Sequence, residues 1–137
     1  MFNASASFVG RRQAGAYQQV HVATGVDGAT PHKLVSMLFD GALAAIAEAR
    51  GAMRSRNIQA KGQAIGRAVR IVDEGLSAPL NLAEGGKLAA DLRDLYSYVT
   101  LRLTQANLHN DEAGLDECAR LIETLRSAWS NMTPEQP

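Results

Sequence analysis

A single cysteine, Cys118, leaves no partner for an intramolecular disulfide, and that fits a reducing compartment. No apolar run approaches the ~20 residues needed to span a bilayer. Met1 to Ser7 lacks the basic start and apolar core of a secretory signal. These absences lead us to expect a cytosolic protein with no stable membrane insertion. Neither sign of charge is in excess, with Lys plus Arg and Asp plus Glu both at 14. A nucleic-acid binder usually carries a basic face, so nucleic acid is not an expected partner. The densest basic stretch, Arg50 to Arg56, reads as a solvated helix end.

Groups for chemistry are equally sparse. His21, His32 and His109 are far apart in the chain, and no Glu-x-x-His pair occurs. A metal site would lack its ligand cluster, so neither metal nor cofactor is expected. Gly85-Gly86-Lys87 lacks the spacing of a phosphate-binding loop and suits a chain reversal instead. Cys118 falls on an apolar helical stripe, where cysteine acts as a small hydrophobe rather than a nucleophile. No catalytic residues are therefore assigned. An enzyme would need Arg67, Arg70, Arg93 and Arg102 to converge with glutamates in one polar pocket, and nothing in their spacing requires that.

What the chain does have is apolar content, 46% of 137 residues, enough for one globular domain. The periodicity predicts an all-α protein, an antiparallel up-down four-helix bundle. Helices are expected at about 30–55, 58–76, 86–110 and 112–132. Residues 1–29 read as a mobile arm or short cap, and 133–137 as a disordered tail with two prolines. Thr30-Pro31 is a strong helix start, since Thr caps and Pro at the first position forgoes an N–H that would be unpaired anyway. Pro79 ends the second helix within a loop from Ser77 to Gly86. The short connections make neighbouring helices antiparallel.

On a helical wheel of 100° per residue, each helix has a core stripe. They are Val35, Leu38, Ala42, Ala45, Ile46, Ala49 and Met53 in the first, and Ile58, Ile65, Val69, Val72 and Leu76 in the second. The third has Leu88, Leu92, Leu95, Tyr96, Val99, Leu103 and Ala106; the fourth has Leu115, Cys118, Ile122, Leu125 and Trp129. Several apolar residues lie off these stripes. The second helix also carries glycines at 62, 66 and 75, each costing roughly 1 kcal/mol against alanine, which points to close approach of another helix. Its flank of Ala60, Ala64, Ala68, Ile71 and Gly75 is a strip of small residues. A partner-binding groove is accordingly expected from Ala60, Ala64, Ile71, Tyr98, Leu101 and Leu108, extended by Leu121 and Ala128. Tyr17, Val20 and Val22 of the arm are expected to cap part of it. Without a client, such surface would also allow self-association.

The order of several short segments resembles one known family. Tyr17-Gln18-Gln19-Val20 leads to Thr30-Pro31-His32-Lys33-Leu34-Val35 and Met37-Leu38-Phe39-Asp40-Gly41-Ala42-Leu43. Lys61-Gly62-Gln63-Ala64, Glu84-Gly85-Gly86 and Asp94-Leu95-Tyr96-Ser97-Tyr98 follow. Arg102-Leu103, Ala106-Asn107-Leu108, Asn110-Asp111 and Trp129 complete the series. Together, from Tyr17 to Met132, they resemble the flagellin-specific export chaperones of the FliS family. The resemblance implies a non-enzymatic four-helix bundle with an N-terminal cap. It also implies binding of the disordered C-terminal segment of flagellin, which prevents premature polymerisation, and delivery to the flagellar type III export apparatus. Two positions depart from the pattern: Val99 stands where the family often has Met, and Leu101 where it often has a basic residue. A general helical adaptor for another secreted protein, with the same groove and a different client, is the alternative.

Overall fold

The computed structural model describes residues 28–132. The expected arm up to residue 27, with its cap residues Tyr17, Val20 and Val22, and the 133–137 tail lie outside the described residues. Four helical segments follow in order: α1 (Pro31–Arg54), α2 (Ile58–Arg70, continued by a π-helical stretch Ile71–Ser77), α3 (Leu82–His109) and α4 (Glu112–Asn131). All regular structure among the described residues is helical.

Each helix opens on a side-chain cap, of which the Thr30 cap was expected from the sequence. The Thr30 hydroxyl accepts the Lys33 N–H at 3.1 Å, with Pro31 in the first helical position. The side-chain oxygens of Asn57, Asn81 and Asp111 accept from Ala60, Glu84 and Gly114 at 3.1, 3.0 and 3.3 Å. Each such cap is worth about 1 kcal/mol.

Cross-helix contacts fix an antiparallel order. Arg67 pairs with Glu48, and Gly75 faces Leu38, so α1 and α2 run in opposite directions. Lys61 at the start of α2 reaches Asn107 at the end of α3. Cys118 Sγ lies 3.7 Å from the Val99 carbonyl, joining α4 to α3. The bundle closes where Trp129, at the end of α4, meets His32, at the start of α1. The core runs between the helices through Ile46, Val72, Val99, Leu103, Leu115, Cys118 and Ile122. Six alanines, at 42, 45, 49, 64, 68 and 106, are also buried there. They let the helices approach closely, at the cost of less apolar area per residue.

The structure corrects several expectations. Leu88 and Ile58 were placed on core stripes, yet both are exposed, each in the first turns of its helix, where it borders an open pocket and not the core. Leu34, Phe39, Ala52 and Ala89 are buried although no stripe included them. The second helix is not α-helical to Leu76; from Ile71 it widens to π-helix, and Ala78 N–H bonds to Asp73 O, five residues back. The expected 77–86 loop contains a helical turn from Leu82. This turn joins the rest of α3 through a kink at Gly86, with φ 57° and ψ −133°. Of the three glycines in α2, a Cβ on Gly75 would meet Leu38 at 3.0 Å, whereas one on Gly62 would meet nothing within 4 Å. Close helix approach thus explains Gly75 and not Gly62.

Candidate partner-binding surface

The outer face of α3 carries three of the exposed large apolar residues. Tyr98, Leu101 and Leu108 are 42%, 57% and 74% exposed. Leu101 and Leu108 are seven residues apart, two helical turns, so they lie one above the other. The opposite side of α3 supplies Tyr96, Val99, Leu103 and Ala106 to the core. Leu101 and Leu108 thus crown the helix at about 160–180° from its buried stripe.

Tyr98 lies toward the seam with α4. Its hydroxyl donates to Glu117 Oε2 at 2.6 Å, and Arg102 Nε donates to the other oxygen of the same carboxylate at 2.9 Å. Arg102 also pairs with Asp111 at 3.1 Å. Gly114 makes room for this guanidinium, since a Cβ there would lie 2.7 Å from Arg102 Nη1. The bond from Tyr98, followed by that from Arg102, holds the Glu117 carboxyl below its ordinary range. Asp111 is lowered chiefly by Arg102, and the Tyr98 phenol is raised chiefly by Glu117. On the wheel, Leu121 and Ala128 fall on the same flank of α4 as Glu117. Leu121 is half-buried against the core, and Ala128 is exposed.

The α2 members stand apart from these exposed residues, and only two of them keep exposed surface. Ala64 is only 1% exposed and belongs to the core. Ile71 Cδ1 lies 3.4 Å from the position of a Cβ on Gly41, so it packs on α1. Ala60 is half-buried on the same flank. At Ile71 and Gly75 the strip of small residues meets α1, through Gly41 and Leu38. Periodicity revealed that the strip was smooth; it could not reveal which neighbour uses it.

Three of the four arginines required by the enzyme alternative have separate carboxylate partners. Arg67 pairs with Glu48, Arg93 with Asp94, and Arg102 with Asp111 and Glu117. Among the described residues no group of His, Cys, Asp or Glu could hold a metal ion. No helix among them is long and apolar enough to cross a membrane.

Known proteins resemble the chain over most of its length. Residues 13–136 match the family described as "Flagellar protein FliS". The chain belongs to the FliS family. The flagellar secretion chaperone FliS of Salmonella typhimurium is 42% identical over 120 residues, covering 88% of this chain and 89% of that protein. The flagellar secretion chaperone FliSB of Pseudomonas aeruginosa is 41% identical over 117 residues, or 85% and 92% of the two chains. The Bacillus subtilis FliS is 35% identical over 114 residues, or 83% and 80%. Membership in FliS supports a chaperone role in flagellar export, in a family of chaperones rather than enzymes.

Proposed function

We propose that this protein is a cytosolic chaperone for flagellin, binding its disordered C-terminal segment before export. The segment lies across α3 and the α3–α4 seam, with Tyr98, Leu101 and Leu108 as the main apolar contacts and Leu121 and Ala128 at the edge. Binding there keeps flagellin from polymerising and presents it to the flagellar type III export apparatus. The observation that carries this reading is the exposed Tyr98–Leu101–Leu108 face in a FliS-family bundle whose core, among the described residues, is built from other side chains. A disordered segment loses several kcal/mol of entropy on ordering, which a long apolar contact offsets while leaving the complex releasable.

Calorimetry with the flagellin C-terminal segment tests the assignment. Leu101→Asp and Leu108→Asp are each expected to weaken binding by about tenfold or more, the loss of one buried leucine contact. Thermal stability should hardly change, because neither side chain is in the core. Affinity equal to wild type in both variants, with unchanged circular dichroism, would remove α3 from the binding face.

A further inference from the structure

We propose that the end of the bundle holds the carboxyl terminus of the bound client in a pocket of about 400 Å³ lined in part by Lys61. This rests on the chaperone reading and adds a site that the outer stripe does not include. The end of α1, the starts of α2 and α4, and Asn110 after α3 all border the pocket. Met53 and Ile58 give it apolar walls; Arg54, Arg56 and Lys61 bring three cations against the single carboxylate of Glu112.

Lys61 is the unusual member, at 6% exposure the one charged residue buried among those described. Its ammonium donates to the Asn107 carbonyl at 2.9 Å and Asn110 Oδ1 at 2.5 Å, both neutral acceptors. No carboxylate pairs with it among the described residues, although buried cations are ordinarily paired. Glu112 is already engaged, accepting from Arg54 Nε at 2.8 Å. Arg56 makes no ion pair among the described residues and is held at φ 59°, beside the pocket mouth.

Lys61 and the unpaired Arg56 thus leave the pocket with positive charge that suits an anion on a slender, partly apolar carrier. A chain end meets that description: it enters as one strand of backbone, stops, and places a carboxylate within a residue or two of an apolar side chain. An internal Asp or Glu must bring two strands of backbone to the mouth to reach the same depth. The apolar walls disfavour a free inorganic anion.

The test measures the flagellin C-terminal segment binding to the full chain as the free acid, as the C-terminal amide, and with a Gly-Ser extension. The amide and the extended peptide are expected to bind about tenfold more weakly than the acid, the effect of one charge-assisted hydrogen bond. In Lys61→Met, acid and amide should bind alike. Lys61→Met also removes two bonds between α2 and the end of α3, so Arg56→Asn serves as the second variant. It keeps a residue tolerant of the left-handed backbone, and should narrow the acid–amide gap with an unchanged melting temperature. Equal, tight binding of acid and amide by the wild-type chain overturns the pocket and leaves the chaperone reading intact. An extended peptide that binds as tightly as the free acid also overturns it, favouring an internal carboxylate. Failure of every peptide to bind overturns the chaperone reading and the pocket with it.

Discussion

Ile71 shows how much a single side chain's neighbour decides. From sequence it belongs to a smooth strip facing outward, and an aspartate there would be expected to weaken client binding in a folded bundle. In the structure it is half-buried, packed against the core and close to Gly41 of α1. Ile71→Asp therefore removes apolar packing and places a charge at a helix contact. It is expected to destabilise the bundle by about 3 kcal/mol, read as a lower urea midpoint. A midpoint within error of wild type would return Ile71 to the outer surface. Tyr98, Leu101 and Leu108 were legible as outward-facing because Tyr96, Val99 and Leu103 between them define the buried side unambiguously. Ala60, Ala64 and Ile71 were not, because a wheel records angle about one axis and cannot say where the next helix stands. The Lys61 pocket was invisible for the same reason: its members come from the ends of four separate segments. A lysine in a helix gives no sequence signal that its ammonium is buried.

Helices were legible where chemistry marks their ends. Thr30-Pro31, Asn57 and Asp111 lie at starts that capping preference anticipates, and Asn110 takes the left-handed conformation that ends α3. The α2–α3 connection was less legible. Pro79 correctly marked a break, yet Asn81 could cap a turn before Gly86 as easily as belong to a loop. The widening of α2 from Ile71 has no signature in residue type, since π-helical turns arise from tertiary fit. Gly86 itself was singled out for chain reversal, and it does redirect the chain, as a kink within α3. Its backbone region is open essentially to glycine alone. Gly86→Ala is expected to cost about 1–3 kcal/mol. Gly62→Ala, where a Cβ meets nothing within 4 Å, should gain up to about 1 kcal/mol from helix propensity. Chemical denaturation of the two variants measures both, and a Gly86→Ala protein as stable as wild type would contradict the kink.

At the scale of the whole bundle, polar fastenings hold the ends of helices whose middles are joined by small apolar residues. At one end the His32 and Trp129 rings stack at 4.7 Å. Trp129 Nε1 donates to the His32 carbonyl at 2.9 Å, tying the start of α1 to the end of α4. At the other end Arg54 holds Glu112, while Arg102 holds Asp111 and Glu117. All three of these carboxyls are lowered in the folded protein: Asp111 chiefly by Arg102, Glu112 by Arg54, and Glu117 by Tyr98 and then Arg102. A lowered folded-state pKa means that the native protein binds fewer protons than the unfolded chain. The resulting stability is complete above the ordinary carboxylate range of about 4 and is lost as pH falls through the depressed values. Tyr98 has the opposite sign. Its phenol is raised by Glu117, so its contribution is complete below the ordinary value of about 10 and is lost as pH rises through the raised one. One hydrogen bond, Tyr98 to Glu117 at 2.6 Å, thus stabilises the fold between these limits and is lost at both extremes of pH. Glu117→Gln should make the urea midpoint less sensitive to pH on the acid and alkaline sides alike, with little change near neutrality in high salt, where exposed ion pairs are screened. Tyr98→Phe should remove the Tyr98 part of the alkaline loss, leaving that of the buried Cys118 thiol, which burial pushes up to about 12, and should flatten the acid side only in part, because Arg102 still holds Glu117. Identical pH profiles for wild type and Glu117→Gln would show that the α3–α4 seam, and with it one edge of the client surface, is not held by this network.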